Sequence, residues 1–316
     1  MILKIGTRGS KLALAQSQWV KKRIEIRYPH IQADLVTIKT TGDKILDSPL
    51  SSIGGKGLFV KEIEDALIRE EIDVAVHSMK DVPALLPAAL MLSTFPERED
   101  PRDALISLGD RDIEALPQGS AIGTSSLRRA AQILHLRPDL NIFPLRGNVE
   151  TRLRKLRSGD FQAIILATAG IKRLGLETNI TQVISLEQFL PAIGQGALGL
   201  EVRRSDEHTI NLLDFLNHKE TEVTIRAERA LLKELEGGCQ VPIAAFAHLK
   251  DGRLHLEGLV AELDGSKIIR DEISGRTARA EELGIELARR LLESGADKIL
   301  TRIYKKELSA IKNGTK

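Results

Sequence analysis

The sequence predicts an α/β protein with a small α+β unit at its C-terminal end, and three observations support this fold class. Short apolar segments alternate with amphipathic segments of helical period through residues 3–167, a pattern typical of βαβ units. Three strand-like segments separated by Asp-Gly turns follow at 243–273, which indicates an antiparallel sheet. A chain of 316 residues is long for one hydrophobic core, so we expect two or three domains.

The chain opens with a strand at 3–6 that turns through Thr7-Arg8-Gly9-Ser10 into a helix. Ser10 is the expected N-cap. The expected apolar stripe of this helix is Leu12, Ala15, Trp19, Val20 and Ile24. A second strand at 33–39 completes a βαβ unit. The turn offers backbone N–H groups, a positive helix end and Arg8, which favours an anion site, while a capped helix with Arg8 in water is the alternative.

A glycine-rich segment at 52–59 precedes a predicted helix at 59–71. It is not a phosphate-binding P-loop, because Lys56 is followed by Gly57 and Leu58 rather than by Ser or Thr. A lid over the site and a plain connection both remain open.

The segment 72–83 links a buried strand to polar residues. Ile72, Val74 and Val76 alternate as in a strand, and His77 to Asp81 should emerge at its carboxyl end, where α/β sheets bind ligands. Pro83 then restricts the exit of the chain. Asp81 is therefore the candidate acid, and a solvated Lys80–Asp81 surface pair is the alternative.

A charged, proline-punctuated segment follows Pro96 and predicts a domain boundary. The second unit repeats the first, with strands at 121–123, 142–145 and 161–167 and helices at 127–136 and 149–158. Its first turn runs from Gly123 to Arg129 and carries hydroxyl groups and two arginines. Arginines in a first helical turn oppose the helix dipole, so a ligand anion is the simplest compensation.

Residues 128–157 hold eight Lys or Arg residues against two acids, a local charge of +6. A small molecule with several carboxylates fits this excess, because guanidinium groups bind carboxylates in bidentate geometry. A single-stranded nucleic acid fits less well, since Phe143 is the one aromatic residue in the stretch. A solvated basic face remains the alternative.

The last third of the chain predicts a return strand and a separate small unit. A glycine-rich segment at 193–202 becomes strand-like and is expected to lead back toward the first unit. Beyond it, a helix at 221–235, strands at 243–249, 254–260 and 267–273, and a helix at 278–294 form the α+β unit. Cys239 lies on the loop after the first of these helices. Cys239 is either an inert, small apolar residue or a functional thiol. A functional thiol would act as an anchor or as a nucleophile.

Composition excludes several classes of protein. The net charge of +2 argues against a surface built for nucleic acid. One cysteine cannot form an intramolecular disulfide, and the seven histidines lack ligand spacing, so no metal site is expected. The start MILKIGT lacks a signal sequence and no apolar run approaches the ~20 residues of a membrane span, so we expect a cytoplasmic protein without membrane contact.

Several long motifs stand out when the chain is taken as a whole. They are AVHSMKDVP at 75–83, GTSSLRR at 123–129, LRGN at 145–148 and LEGGCQVP at 235–242. Together they closely resemble the porphobilinogen deaminase (hydroxymethylbilane synthase) family, and GGKGLF at 54–59, EREDPRD at 97–103 and PAIGQG at 191–196 also fit in order and spacing. The resemblance covers nearly the whole chain.

The resemblance implies three domains. Residues 1–96 with 197–216 and residues 97–196 would form two domains that resemble those of type II periplasmic binding proteins, with a cleft between them. Residues 217–316 would form the C-terminal α+β domain with its three-stranded antiparallel sheet. A solute sensor would have no use for Cys239 or for this third domain.

The resemblance also implies an activity. Cys239 would carry a dipyrromethane cofactor through a thioether, and four porphobilinogen units would be added with loss of ammonia to give hydroxymethylbilane, with Asp81 as the catalytic carboxylate. The other cofactor-binding residues would be Lys80, Thr124, Ser126, Arg128, Arg129 and Arg146. Porphobilinogen would be bound by Arg8, Ser10, Lys56, Phe59, Arg152, Arg173 and Gln195. The protein would act as a monomer, without nucleic acid, and pass its product to uroporphyrinogen-III synthase.

The charge pattern agrees with this ligand. Each pyrrole ring carries two carboxylates, which would repel one another strongly in a partly desolvated cleft unless cations paired with them. Replacement of Arg129 or Arg146 is therefore expected to impair ligand binding more than folding. An RNA-binding protein that uses the same basic stretch would instead lose affinity steeply with salt.

Overall fold

The computed structural model describes residues 2–44, 57, 59–236 and 241–313, and its strands form three sheets. In chain order the strands are β1 (Ile2–Thr7), β2 (Gln32–Thr37), β3 (Val74–Ser78), β4 (Leu90–Thr94), β5 (Asp103–Ser107), β6 (Ala121–Gly123), β7 (Asn141–Phe143), β8 (Ala163–Ala167), β9 (Gln182–Val183), β10 (Leu198–Arg203), β11 (Ile243–Lys250), β12 (Arg253–Ala261) and β13 (Ile268–Arg276). The α-helices are α1 (Lys11–Arg27), α2 (Thr41–Lys44), α3 (Lys61–Ile68), α4 (Leu127–Leu136), α5 (Val149–Arg157), α6 (Thr168–Arg173), α7 (Glu207–Leu213), α8 (Lys219–Glu234), α9 (Ala280–Leu291) and α10 (Asp297–Asn313).

The first sheet has the strand order β2-β1-β3-β10-β4. β2, β1 and β3 are parallel, and β10 is antiparallel to both β3 and β4. Leu3, Ile5, Val76 and Leu200 are among the residues of its buried core. β3 is central and therefore delivers the residues that follow Ser78 to the carboxyl edge of the sheet.

The second sheet repeats this arrangement with the order β7-β6-β8-β5-β9. β7, β6 and β8 are parallel, and β5 is antiparallel to β8 and β9. β6 corresponds to β1 in this repeat, so the turns after these two strands are equivalent. Two chain segments, 95–102 and 184–197, join the two sheets, because β10 returns to the first sheet after the second is complete.

The third sheet is the antiparallel meander β11-β12-β13. α8 and α9 cover one face with a core that includes Leu231, Leu256 and Leu287. A β-carbon at Gly284 of α9 would lie 2.3 Å from the carbonyl oxygen of Ala227 on α8, so the close approach of these two helices requires a glycine. The opposite face of the sheet packs on the second unit through a cluster that includes Ala131 of α4.

The predicted classes, α/β followed by α+β with a three-stranded antiparallel sheet, are confirmed. β10 returns to the first sheet as expected, and Ser10 is the N-cap of α1. The prediction for Trp19 is wrong: it is 45% exposed and lies beneath the Arg23 guanidinium, because the buried face of α1 is built from Gln16, Ser17, Val20 and Ile24.

Several elements of the structure have no clear pattern in the sequence. Strands β4, β5 and β9 and helices α6, α7 and α10 were not predicted, because most are short and carry little periodic signal. The domain boundaries after residues 96, 196 and 216 remain a prediction. Within the described chain, no helix combines the length and apolar character needed to cross a bilayer.

Candidate active site

Asp81 lies in a single 3₁₀ turn, Met79–Asp81, directly after the central strand β3. The Met79 N–H donates to the carbonyl of Ala197 at 3.0 Å, and the Val82 N–H donates back to the Met79 carbonyl at 3.2 Å. Met79 and Val82 are buried, whereas Lys80 and Asp81 are half-buried. Two apolar anchors thus hold the turn, and the charged pair lies between them at the carboxyl edge of the sheet.

The first predicted anion turn, after β1, is capped as expected but carries an internal counter-ion. The Ser10 hydroxyl accepts from the Ala13 N–H at 3.2 Å. Arg8 forms an ion pair with Asp43, and its guanidinium carbon lies 4.2 Å from the centre of the Phe59 ring. Arg8 is therefore already oriented by a carboxylate and an aromatic face.

The equivalent turn of the second unit, after β6, is built from hydroxyl groups and backbone N–H groups. The Thr124 hydroxyl accepts from the Ser126 N–H at 3.2 Å, and the Ser126 hydroxyl caps α4 by accepting from the Arg129 N–H at 3.4 Å. The sequence-predicted residues Thr124, Ser126, Arg128 and Arg129 thus lie on one helix start.

A buried carboxylate, Asp103, compensates the two arginines of this turn. Arg128 Nη1 donates to one oxygen of Asp103 at 2.7 Å, and Arg129 donates to the other from Nε at 3.0 Å and Nη2 at 2.7 Å. Burial alone would raise the pKa of Asp103, but Arg128 and Arg129 lower it well below its usual range. The expectation that a ligand anion compensates these arginines is therefore wrong in part, because β5 supplies the anion.

Gln195 lies in the connection between the two sheets, and Arg173, the last residue of α6, contacts that connection. The Gln195 side-chain nitrogen donates to the Pro101 carbonyl at 2.7 Å and to Asp103 at 2.9 Å. Arg173 donates from Nη2 to the Gly196 carbonyl at 2.7 Å. Both predicted ligand residues are thus held against the crossover segment, and burial lowers the pKa of Arg173.

Arg152 and Lys80 show the electrostatic character of the site. Arg152 donates from Nε to the Gly147 carbonyl at 2.8 Å. Burial first, then the charges of Arg129 and Arg146, lower the pKa of Arg152 to about 10. Burial and then Arg129 lower the pKa of Lys80 to about 8, although Asp81 and Asp103 oppose this.

We call Lys80, Arg128, Arg129, Arg146 and Arg152 the cationic cluster, since their charges act on one another across the two units. Among the described residues, the carboxylates of Asp81 and Asp103 act on Lys80, and that of Asp81 acts on Arg152. Cations that are partly desolvated and mutually repelling favour the binding of an anion.

Two predicted site residues, Cys239 and Lys56, lie outside the described residues, as does most of the glycine-rich segment at 52–58. α8 ends at Glu234, five positions before Cys239, and Val241, the next residue described after Glu236, is buried. No cluster of three or more His, Cys, Asp or Glu side chains suited to a metal occurs in the part of the chain that the structure describes.

Comparison with known proteins identifies the family. Residues 3–211 match the family model "Porphobilinogen deaminase, dipyromethane cofactor binding domain", and residues 223–293 match "Porphobilinogen deaminase, C-terminal domain". The chain belongs to the porphobilinogen deaminase family. The porphobilinogen deaminase of Trichlorobacter lovleyi is 56% identical over 308 residues, which are 97% of this chain and 98% of that protein.

Other porphobilinogen deaminases are similar to the same extent. That of Pelobacter propionicus is 54% identical over 306 residues, covering 97% of this chain and 98% of that protein.

Among solved structures, the amino-acid ABC transporter extracellular-binding protein ytmK of Bacillus subtilis is 12% identical with a TM-score of 0.41, covering 68% of this chain and 90% of that chain.

The donor set fits the dipyrromethane that this family carries. Acetate and propionate side chains are carboxylates, and the cationic cluster offers guanidinium and ammonium donors for them. The lowered pKa values of Lys80 and Arg152 show that these two cations would gain from a nearby negative charge. The hydroxyl groups of Thr124 and Ser126 lie on the same helix start as Arg128 and Arg129. The residues present therefore match the chemistry of the cofactor.

Sequence reasoning missed three groups of residues at this site. Asp103 stands in the quoted motif EREDPRD but was not singled out as an anchor. Arg229 on α8 contacts the loop after Asp81. His77, which was expected to emerge beyond the strand together with Asp81, is instead buried within β3, where its Nε2 lies 2.9 Å from Glu201 and near Glu64. Alternation of buried and exposed positions gave no signal for these contacts, because each joins residues from distant parts of the chain.

Proposed function

We propose that the chain catalyses the stepwise head-to-tail condensation of four porphobilinogen molecules, with loss of ammonia at each step, to give the linear tetrapyrrole hydroxymethylbilane. Asp81 is the observation that carries this proposal: a single half-buried carboxylate stands at the carboxyl edge of β3 within the field of Lys80 and Arg152. The surrounding cations suit a ligand rich in carboxylates, and the carboxylate suits a cation that forms during the reaction.

Asp81 acts on the leaving amine and on the positive charge that follows. Its carboxyl group exchanges a proton with the aminomethyl nitrogen of porphobilinogen, or holds the departing ammonium by a charge-assisted hydrogen bond. Its negative charge stabilises the cationic pyrrole that remains when the C–N bond breaks. The turn that carries Asp81 is anchored by Met79 and Val82, so the carboxylate is held in place before the substrate arrives.

The cationic cluster binds the acetate and propionate groups. We assign Lys80, Thr124, Ser126, Arg128, Arg129 and Arg146 to the cofactor, with Cys239 as the point of attachment. The bound dipyrromethane supplies the primer to which pyrrole units are added. Arg8, Ser10, Lys56, Phe59, Arg152, Arg173 and Gln195 are assigned to substrate and growing chain.

We also propose the domain division 1–96 with 197–216, 97–196 and 217–316. The two five-stranded sheets and the three-stranded sheet are consistent with it. We propose a monomer in the cytoplasm, where a reducing environment keeps the lone cysteine available as a thiol. We also propose that uroporphyrinogen-III synthase receives the linear product.

Intact-protein mass, combined with an assay of ammonia and tetrapyrrole, tests the proposal. The purified protein should be heavier than its sequence by one dipyrromethane, and peptide mapping should locate the added mass on Cys239. Cys239→Ser should carry no thioether-linked cofactor and lose most activity. Fully active protein with the unmodified mass contradicts the cofactor assignment, and absence of any turnover of porphobilinogen contradicts the activity.

A further inference from the structure

Arg229 of α8 reaches across to the loop that follows Asp81. Its guanidinium donates from Nη2 to the carbonyls of Pro83 at 2.8 Å and Ala84 at 3.3 Å, and from Nη1 to the carbonyl of Val82 at 3.4 Å. One side chain of the C-terminal unit therefore holds three consecutive carbonyl groups of the first unit.

These carbonyls need a donor from outside their own segment. Residues 82–84 belong to neither a strand nor a helix, and Pro83 has no N–H group. A guanidinium carries five N–H donors in a rigid fork and satisfies neighbouring carbonyls at once, whereas an ammonium on a flexible stem is less well oriented. The residue type at 229 therefore suits a carbonyl-rich loop.

No acid pairs with Arg229 among the described residues, where its hydrogen bonds go to backbone carbonyls. Burial lowers the pKa of Arg229 to about 10, with a smaller opposite effect from the charge of Glu201. Among the described residues the half-buried guanidinium is directed at backbone carbonyls, and its partial desolvation costs free energy. Its hydrogen bonds stabilise one conformation of the loop 82–84.

A second contact of the same helix supports this role. Ile225, one helical turn before Arg229, is fully buried in a cluster with Met79 and Val82, the two anchors of the Asp81 turn. α8 thus holds the Asp81 turn in two ways. Ile225 packs in one cluster with Met79 and Val82, and Arg229 donates hydrogen bonds to the loop that follows the turn.

We propose that Arg229 is a positioning residue that fixes the Asp81 carboxylate by holding the loop 82–84 against α8. This inference rests on the proposed function of Asp81. Arg229 donates to backbone carbonyls and is assigned no contact with substrate, so its loss should misplace the carboxylate without removing a binding group. A misplacement of about 1 Å at a catalytic group can reduce the rate about 100-fold.

The test uses the full-length holoenzyme with three variants. Arg229→Met keeps an unbranched apolar stem and removes all donors, and Arg229→Lys keeps the charge and restores part of the hydrogen bonding. Arg226→Met is the matched control, since Arg226 lies three positions away on α8, is exposed, and pairs with Glu281. We expect Arg229→Met to lower kcat by about 10- to 100-fold with KM within about twofold, because binding groups are untouched. Arg229→Lys should recover part of the loss, and Arg226→Met should match the parent protein.

Hydrogen exchange supplies a readout independent of turnover. The Val82 N–H is protected by its bond to the Met79 carbonyl, so the peptide 79–86 should exchange at least about fivefold faster in Arg229→Met than in Arg226→Met. Unchanged exchange in that peptide, or unchanged kcat in a folded Arg229→Met, overturns the positioning role. An equal loss of kcat in Arg229→Met and Arg229→Lys with normal exchange also overturns it. Absence of activity in the parent protein instead overturns the proposed function, and the exchange result still decides whether Arg229 orders the loop.

Discussion

Arg129 donates two hydrogen bonds, from Nε at 3.0 Å and Nη2 at 2.7 Å, to one carboxylate oxygen of Asp103, and both side chains are buried. This pair gives one arginine of the cationic cluster a counter-ion within the protein. Arg129 is partly held by a carboxylate of the protein itself. Arg152, by contrast, donates its described hydrogen bond to a neutral backbone carbonyl. The two arginines should therefore respond differently to substitution.

Arg129→His should destabilise the protein as well as impair it. Removal of one partner of a buried ion pair leaves Asp103 undercompensated, which typically costs about 3–5 kcal/mol, although Arg128 and Gln195 retain contact with it. Urea denaturation followed by circular dichroism measures the loss. Stability equal to that of the parent protein would return Arg129 to a purely ligand-binding role, as the sequence had suggested.

Arg152→Gln should leave the fold nearly intact and impair chain extension. The lost bond to the Gly147 carbonyl costs about 1 kcal/mol, while a lost charge-assisted contact to a carboxylate costs about 1.5–3 kcal/mol of binding. We expect Arg146→Gln to behave in the same way. Native gels and intact mass should then show incomplete pyrrole additions, and complete additions at the normal rate would remove these arginines from the binding site.

Asp81→Asn should give a folded protein with turnover lower by about 10²–10⁴, because the amide neither transfers the proton nor balances a cation. Asp81→Glu should be impaired as well, since the longer side chain misplaces the carboxylate. The exposed Asp160 provides a control, and Asp160→Asn should retain full activity. Ammonia release measured on the three variants checks this, and near-normal rates for Asp81→Asn would favour a mere surface pair with Lys80.

The affinity for carboxylate ligands should fall as the pH rises through about 8, where Lys80 loses its proton in the free site. A ligand carboxylate binds the protonated form of Lys80. Below this pH Lys80 is already protonated, whereas above it Lys80 must take up a proton when the ligand binds, which weakens binding. Because Lys80 is assigned to the cofactor, we expect the Kd of the cofactor-free Cys239→Ser protein for free dipyrromethane to rise by about tenfold between pH 7 and pH 9.5, which corresponds to one charge-assisted hydrogen bond. Lys80→Arg should flatten this rise, because a guanidinium stays charged. The same pH dependence in both proteins would exclude Lys80 as its source.

Glu64 should make stability depend on pH. Its Oε1 and the Oε1 of Glu201 are buried and have no hydrogen-bond partner among the described residues, and burial, then the Glu201 charge, raises the pKa of Glu64 to about 7. The folded state therefore retains a proton that the unfolded state releases near pH 4.5, so this stability is present at low pH and is lost as the pH rises to about 7.

The expected loss at Glu64 is about 1–3 kcal/mol over this range. Glu64→Gln removes the titration, so its stability should change less between pH 5 and pH 8 than that of the parent protein. Urea denaturation at the two pH values makes the comparison. Parallel pH profiles for parent and variant would show that Glu64 does not titrate in this range.

Local sequence patterns were sufficient for the framework of this protein. The strand before Asp81, the Ser10 cap and the C-terminal three-stranded sheet all follow from contacts between residues close in the chain. Helical and strand periodicity record which face is buried, and capping residues act on N–H groups two or three positions away. The long motifs were also sufficient to indicate the family.

The partners of the charged residues depended on the tertiary fold. The pairing of Arg8 with Asp43, of Arg129 with Asp103 and of Arg229 with Val82 joins positions that are 35, 26 and 147 residues apart. Such contacts exist only once strand order and the packing of α8 on the Asp81 turn are set, and no local period encodes them. The basic stretch at 128–157 therefore indicated an anionic ligand from the sequence alone. Which of its arginines pair with a carboxylate of the protein, and which remain for a ligand, was decided by the three-dimensional arrangement.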